Sequence, residues 1–156
     1  MATHGFDRAT RLILQALQAD SRQSTQQLAE QVGLSATPVW RRVKELEESG
    51  VIRRHVALAD REKLGLAVCV LANVSLERHS EGAVEQFERL VAASPQIIEC
   101  HAITGEADYV IKVVAPDMKA YDQFLQATIF KVPGVASVRS NVVLREVKYE
   151  TALPVA

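Results

Sequence analysis

The chain has 156 residues, enough for one ordinary domain or two small ones, and its 48% apolar and 24% charged residues are typical of a folded globular protein. No apolar run reaches the roughly 18 residues that a membrane span needs, and the N-terminal residues lack the features of a secretory signal. These absences predict a cytoplasmic protein with no membrane partner, and the net charge of −1 argues against indiscriminate binding to nucleic acid.

Positive charge is concentrated in one short part of the chain. Residues 1–60 contain 8 Lys/Arg against 7 Asp/Glu, whereas residues 61–156 contain 10 against 12. Within residues 35–44 there are three cations and no acid, and Arg53 and Arg54 follow soon after. Any contact with nucleic acid is therefore expected to be local.

The first sixty residues predict three helices. Asp7 and Ser24 are suited to cap the first two, and Ser35 opens the third. Gly33 breaks the chain between the second and third helices, and Gly50 ends the third. Helix, short glycine turn and helix is the spacing of a helix-turn-helix.

In the third helix, Val39 and Leu46 belong to an apolar stripe, while Thr37 and Arg41 point the opposite way. Trp40 lies on the flank between the two faces. Its indole is expected either to pack on the first helix or to lie beside a sugar-phosphate chain. The following segment, VIRRHVAL, is β-branched and predicts a strand or wing.

The second half contains a repeat. Apolar runs predict strands over 66–76, 96–103, 107–115 and 135–144. One helix is predicted between the first two strands, SEGAVEQFERLVAAS, and another between the last two, DMKAYDQFLQATIF. Gly105-Glu106 is expected to join the middle strands as a tight hairpin. Strand–helix–strand twice over is a ferredoxin-like βαββαβ unit, so the predicted class is α+β. Because its strands are apolar on both sides, we expect dimerisation through the sheet face that the helices leave open.

The predicted domains are therefore a helix-turn-helix domain with its linker strand over residues 1–60 and a ferredoxin-like domain over residues 61–156. Cys69 and Cys100 read as free thiols inside strands, with no spacing suited to a metal. An acid–base set of Asp108, Tyr109 and His101 is conceivable, but no nucleophile motif or phosphate loop accompanies it. We expect no enzyme, no cofactor and no metal.

Several motifs together resemble the Lrp/AsnC family of transcriptional regulators. The run LAEQVGLSATPVWRRVKELEESGVIRRHVALADREKLGL is similar to the family's DNA-binding half, and IECHAITGEADYVIKV, VPGVASVRS and LREVKYETALP are similar to its effector-binding half. The resemblance implies a winged or simple helix-turn-helix joined to a ferredoxin-like domain that regulates amino-acid metabolism. It also implies binding to double-stranded DNA, a small amino-acid effector, and a homodimer assembled into tetramers or octamers.

Carried onto this sequence, the recognition helix is Ser35 to Ser49, and SATP matches the family's S-x-T-P start. Val39 replaces the family's common Cys. This difference is expected to change which DNA sequence is recognised and to leave the fold unchanged. Thr37 and Arg41 are the candidates for base edges, because Arg binds guanine with two hydrogen bonds. The complete DNA-binding set is Ser35, Thr37, Pro38, Trp40, Arg41, Arg42, Lys44, Arg53 and Arg54, in which Arg42, Lys44, Arg53 and Arg54 are expected on phosphates.

The hairpin TGEADY matches a turn at which, in the family, dimers meet and effectors bind. Its exposed amides suit a carboxylate, and Asp108 suits an α-ammonium group. The alternatives are that Asp108 caps the turn, that Tyr109 packs in the interface, and that His101 and Met118 are structural. The predicted effector-binding set is His101, Thr104, Gly105, Glu106, Asp108, Tyr109, Met118, Ser140 and Asn141.

A rival interpretation is an amino-acid sensor or assembly module with no specific DNA target, whose helix-turn-helix contacts only protein. The basic start of the third helix argues against it. Neither the effector nor the direction of regulation follows from the sequence.

Overall fold

The computed structural model describes residues 5–77 and 82–155. The chain divides into two compact units, one of which ends at Leu58 and also contains the segment from Lys148, while the other is Ala59–Val147. The second predicted domain comprises all of residues 61–156, whereas the segment from Lys148 lies in the first unit. No helix in the described part of the chain is long and apolar enough to cross a membrane.

Three helices build the first unit: α1 (Arg8–Ala19), α2 (Thr25–Val32) and α3 (Ala36–Glu48). Asp7 and Ser24 are N-caps, as the sequence predicted; Asp7 Oδ1 accepts a hydrogen bond from Thr10 N at 2.8 Å, and Ser24 forms a capping box with Gln27. Gly33 has φ 69°, a left-handed conformation that turns the chain from α2 into α3.

The core of this unit is made by one face of each helix. Ile13 and Leu14 of α1 pack with Leu28 of α2 and with Val39 and Leu46 of α3. Because Val39 and Leu46 are buried, the opposite side of α3 is left to solvent.

The segment from Lys148 contributes to the same unit. Gln18 on α1 donates its amide N–H to the Leu153 carbonyl at 3.0 Å and accepts the Leu153 N–H at 2.7 Å. Val155 packs against the helical core. Two hydrogen bonds and an apolar contact therefore hold residues 153–155 on the unit.

Arg42 joins α3 to the start of α1. Its Nη1 lies 2.7 Å from Asp7 Oδ2 and donates to Thr10 Oγ1 at 2.8 Å, and its side chain is only 27% exposed. Hydrogen bonds from Thr10, followed by the nearby Arg42, hold the pKa of Asp7 below its ordinary value of 3.8.

Of the strand or wing predicted for residues 51–58, the strand is not formed, because these residues adopt no regular structure. Their β-branched composition favours an extended chain, but a strand also needs a hydrogen-bonded neighbour. The described residues form one sheet, and this segment is not part of it.

The elements of the second unit are β1 (Val68–Leu76), α4 (Ala83–Ala93), β2 (Ile97–Ala102), β3 (Tyr109–Ala115), α5 (Met118–Ala127) and β4 (Val135–Val142). The strands form a four-stranded antiparallel sheet with the order β2-β3-β1-β4, which is the predicted ferredoxin-like arrangement. Of the first predicted helix, residues 80 and 81 lie outside the described part. A short 3₁₀ turn, Ile129–Lys131, precedes the last strand.

Side chains of the central strand β1 alternate between two faces. Val70, Ala72 and Val74 are fully buried in a cluster that includes Phe87 of α4 and Tyr121 of α5. The intervening side chains lie on the other side of the sheet, which we call the uncovered face. Its residues include Leu71, Asn73 and Ser75 of β1 and their β4 neighbours Arg139 and Asn141.

The connection from β2 to β3 is a six-residue loop, 103–108, and not the tight two-residue hairpin that was predicted. Ile103 N donates to the Asp108 carbonyl at 2.9 Å and closes it. Asp108 N donates to the Val74 carbonyl at 3.0 Å, and its Oδ2 accepts from Leu76 N at 2.7 Å. The loop, which we call the β2–β3 hairpin, is therefore fastened to the end of β1.

Asp7→Asn tests the contribution of the Asp7 charge to the first unit. Asn caps helices as well as Asp does, so the variant removes charge and keeps the cap. Because the folded-state pKa of Asp7 is lowered, its carboxylate stabilises the fold above pH 3.8 and loses this effect as the pH falls through the lower folded-state value. We expect a lower thermal unfolding midpoint at about pH 7 and a difference that shrinks as the pH falls below 3.8. Asp122→Asn, at an exposed site on α5, is the control; an equal effect there would contradict the assignment.

Candidate functional site

The exposed side of α3 carries a hydroxyl, an indole and two cations. Thr37, Trp40, Arg41 and Lys44 are all exposed on the helix whose other side contains buried Val39. All four lie in the first nine residues of α3. This is the part of a recognition helix that enters the major groove.

Both cations on this surface are paired along the helix. Arg41 Nε lies 3.6 Å from Glu45 Oε1, and Lys44 Nζ lies 3.6 Å from Glu48 Oε1. These exposed i,i+4 pairs contribute only about 0.3–0.5 kcal/mol each. They orient the cations, and a phosphate or a guanine can replace the carboxylate at small cost.

The remaining predicted DNA-binding residues have different surroundings. Ser35 occupies the N-cap position, but its side chain makes no capping hydrogen bond, and Pro38 lies in the first turn, where a missing N–H is tolerated. Arg53 and Arg54 are exposed in the irregular segment after α3. Arg42 is held by Asp7 and Thr10, which argues against a role on phosphate.

A small pocket lies on the uncovered face of the second unit, beside the β2–β3 hairpin. It has a volume of about 160 Å³. Glu106 and Arg139 form an exposed ion pair at 2.8 Å, and the sheet register places Arg139 opposite Asn73. The lining residues are Asn73, Ser75, Ile103, Glu106, Ala107 and Arg139.

Of the predicted effector residues, Glu106 lines this pocket, and Thr104 and Gly105 precede it in the hairpin. Asp108 is engaged by Leu76 N, which favours the alternative that it caps the turn. Tyr109 faces the helices: its hydroxyl donates to Glu88 at 2.9 Å, and its ring centroid lies 4.9 Å from that of Phe87. Burial, followed by the bond to Glu88, raises the pKa of Tyr109 to about 12. Tyr109 is therefore a core residue of its own chain.

The other predicted effector residues are not brought together. His101 on β2 and Asn141 on β4 lie at opposite edges of the sheet. Ser140 faces the helices, where its hydroxyl is 2.6 Å from that of Tyr121. Met118 begins α5 and is 48% exposed. Within one chain, these four residues do not form a common site.

Five of the six lining residues are not in the predicted effector set: Asn73, Ser75, Ile103, Ala107 and Arg139. A signal for the first two was present: they are polar residues two positions apart in an otherwise apolar run, so they share a strand face. The position of Arg139 depends on the pairing of β1 with β4, which local sequence does not specify.

A larger open cleft of about 370 Å³ lies between α4 and the 3₁₀ turn, with Arg89 and Lys131 in its wall. Its lining contains none of the residues predicted for the effector. The smaller pocket is the better candidate for a ligand site, because opposite charges, amide and hydroxyl groups converge there. The described residues contain no His/Cys/Asp/Glu cluster suited to a metal.

Comparison with known proteins supports both halves. The family model described as Lrp/AsnC ligand binding domain matches residues 69–153, and that described as winged helix-turn-helix DNA-binding matches residues 6–53. The chain is 41% identical over 149 residues to the Bkd operon transcriptional regulator of Pseudomonas aeruginosa, covering 96% of this chain and 97% of that one. It is 39% identical over 148 residues to the leucine-responsive regulatory protein of Escherichia coli, covering 95% and 90%.

Solved structures agree over the same length. A transcriptional regulator from Neisseria meningitidis in complex with L-Met superposes with a TM-score of 0.92 at 36% identity, covering 96% of each chain. An AsnC family transcriptional regulator from Agrobacterium tumefaciens gives 0.89 at 40% identity, covering 96% and 97%. From its two domain matches and these relatives, the chain belongs to the Lrp/AsnC family of DNA-binding transcriptional regulators.

Proposed function

We propose that this protein is a sequence-specific transcriptional regulator of amino-acid metabolism, located in the cytoplasm, whose binding to double-stranded DNA responds to a free amino acid. The observation that carries the proposal is the exposed side of α3, where Thr37, Arg41 and Lys44 stand on a helix fixed by its buried face. A helix presented in this way fits the major groove of DNA.

The contacts divide by chemistry. Arg41 and Thr37 read base edges, because a guanidinium pairs with guanine O6 and N7 and a hydroxyl hydrogen-bonds to several bases. Lys44, Arg53 and Arg54 neutralise phosphates. Arg42 is left out of the set, since moving it to DNA would abandon both Asp7 and Thr10.

The effector site is the pocket beside the β2–β3 hairpin. A free amino acid is a zwitterion, and the pocket offers Arg139 for the α-carboxylate and Glu106 for the α-ammonium group. Asn73 and Ser75 supply further hydrogen bonds, and Ile103 supplies apolar contact. The names of the relatives support this chemistry, since one is leucine-responsive and another was solved with L-Met.

The assembly is a homodimer built on the uncovered face and then a tetramer or octamer. Leu71 on β1 is 41% exposed and Ile98 on β2 is 51% exposed. Apolar side chains on an open sheet favour burial by a second copy. Such a second copy would also enclose the effector pocket, which lies on the same face.

The first experiment selects binding sites from random duplexes and measures affinity against salt, with and without each of the twenty amino acids. If the protein neutralises several phosphates, its affinity falls steeply with salt. The slope of log affinity against log salt concentration is about 0.9 per phosphate in magnitude. A change in affinity with one amino acid names the effector. If no duplex binds at low salt, the protein is instead a sensor or assembly module without a DNA target.

Arg41→Ala is expected to weaken binding to the selected duplex by about 1–3 kcal/mol and binding to random DNA by less, because a base contact is lost. Lys44→Ala is expected to weaken binding to both duplexes equally and to lower the slope of log affinity against log salt concentration by about 1. Fluorescence anisotropy titrations of both duplexes measure these changes. Arg22→Ala, outside α3, is the control. Equal losses on both duplexes for Arg41→Ala would make it a phosphate contact.

Arg139→Met and Glu106→Gln are each expected to lower the affinity for the effector about tenfold or more, because each removes a charge-assisted hydrogen bond. Calorimetry with the effector and with its deamino analogue separates the two roles. The wild type should prefer the amino acid, whereas Glu106→Gln should lose that preference. Arg145→Met, an exposed cation beyond β4, is the control. Unchanged affinity in both pocket variants would place the effector elsewhere.

A further inference from the structure

Trp40 has the largest apolar side chain on the exposed side of α3. It is 55% exposed, although Val39 beside it is completely buried. The indole therefore does not take the core position on α1 that the sequence left open. As the fifth residue of α3, it lies in the N-terminal half that a groove receives.

The indole is held along the helix by its neighbour. Lys44 Nζ lies 5.3 Å from the centre of the Trp40 ring, within the range of a cation–π contact. The same ammonium lies 3.6 Å from Glu48. Ala36, one turn before Trp40, is also exposed and adds a methyl group to the same side of the helix.

The exposed side of α3 thus has an apolar part, Ala36 and Trp40, which is flanked by the cations Arg41 and Lys44. Apolar surface gains free energy when it leaves water, and a phosphate offers nothing apolar. In the major groove, the C5-methyl group of thymine is the apolar feature of the base edges.

We propose that Trp40 determines specificity by contacting the C5-methyl group of a thymine, next to the base that Arg41 reads. The inference rests on the proposed DNA-binding role of α3 and assigns one base preference to one side chain. The contact fits a thymine and not a cytosine at that position, because cytosine lacks the methyl group.

The test replaces each thymine of the selected duplex, one at a time, by deoxyuridine, which removes only the methyl group. Wild-type protein should lose about fourfold in affinity at one thymine position for each α3 that enters the duplex, the value expected for one buried methyl group. Trp40→Ala should bind the thymine and deoxyuridine duplexes equally well. Arg41→Ala should retain the fourfold preference for thymine. Thermal unfolding confirms that each variant is folded.

A second readout uses the fact that the chain contains one tryptophan. Bromine at C5 replaces the methyl group with little change in size and quenches indole fluorescence on contact. The 5-bromouracil duplex should quench Trp40 more strongly than the thymine duplex at the critical position and not elsewhere.

The outcomes separate the inference from the function on which it rests. If the wild type is insensitive to every methyl deletion, or if Trp40→Ala keeps the sensitivity, Trp40 does not read thymine and the DNA-binding role stands. Equal weakening of selected and random duplexes by Trp40→Ala would place the ring on the sugar-phosphate chain and overturn the inference. Failure of the wild type to select any sequence would overturn both proposals.

Discussion

Side chains alternate between the two faces of a β-strand, and in β1 this alternation determines what is buried and what can bind. Val70, Ala72 and Val74 fill the helix-covered core, so Asn73 and Ser75 must lie on the uncovered face. A shift of β1 by one residue would put both polar side chains into the core and remove them from the pocket. The core and the pocket proposed for the effector are therefore two results of one register.

The first unit obeys a similar constraint through helical periodicity. Burial of Val39 and Leu46 fixes the rotation of α3, and this rotation presents Thr37, Arg41 and Lys44 together. Arg42 lies at the border of the two faces and is drawn toward Asp7 and Thr10. Neighbouring arginines thus have unlike roles: one positions the helix, and the other is available to a ligand.

The features that the sequence predicted correctly depend on near neighbours. The caps at Asp7 and Ser24, the turn at Gly33 and the βαββαβ order follow from residues a few positions apart. The roles of Asp108, Tyr109 and Ser140 were not predictable in the same way, because their partners Leu76, Glu88 and Tyr121 are 32, 21 and 19 positions away. Local composition can also mislead. Residues 51–58 are rich in strand-forming residues, but they form no strand because the described part of the chain gives them no neighbouring strand to pair with.

Residues 153–155 bind to a unit whose three helices all precede Ala59. During synthesis, α1 to α3 emerge from the ribosome before the whole of Ala59–Val147 has been translated. Gln18 and the helical core acquire their contacts with Leu153 and Val155 only after that second unit has also emerged. Completion of the DNA-reading unit consequently follows translation of the unit proposed to sense the effector.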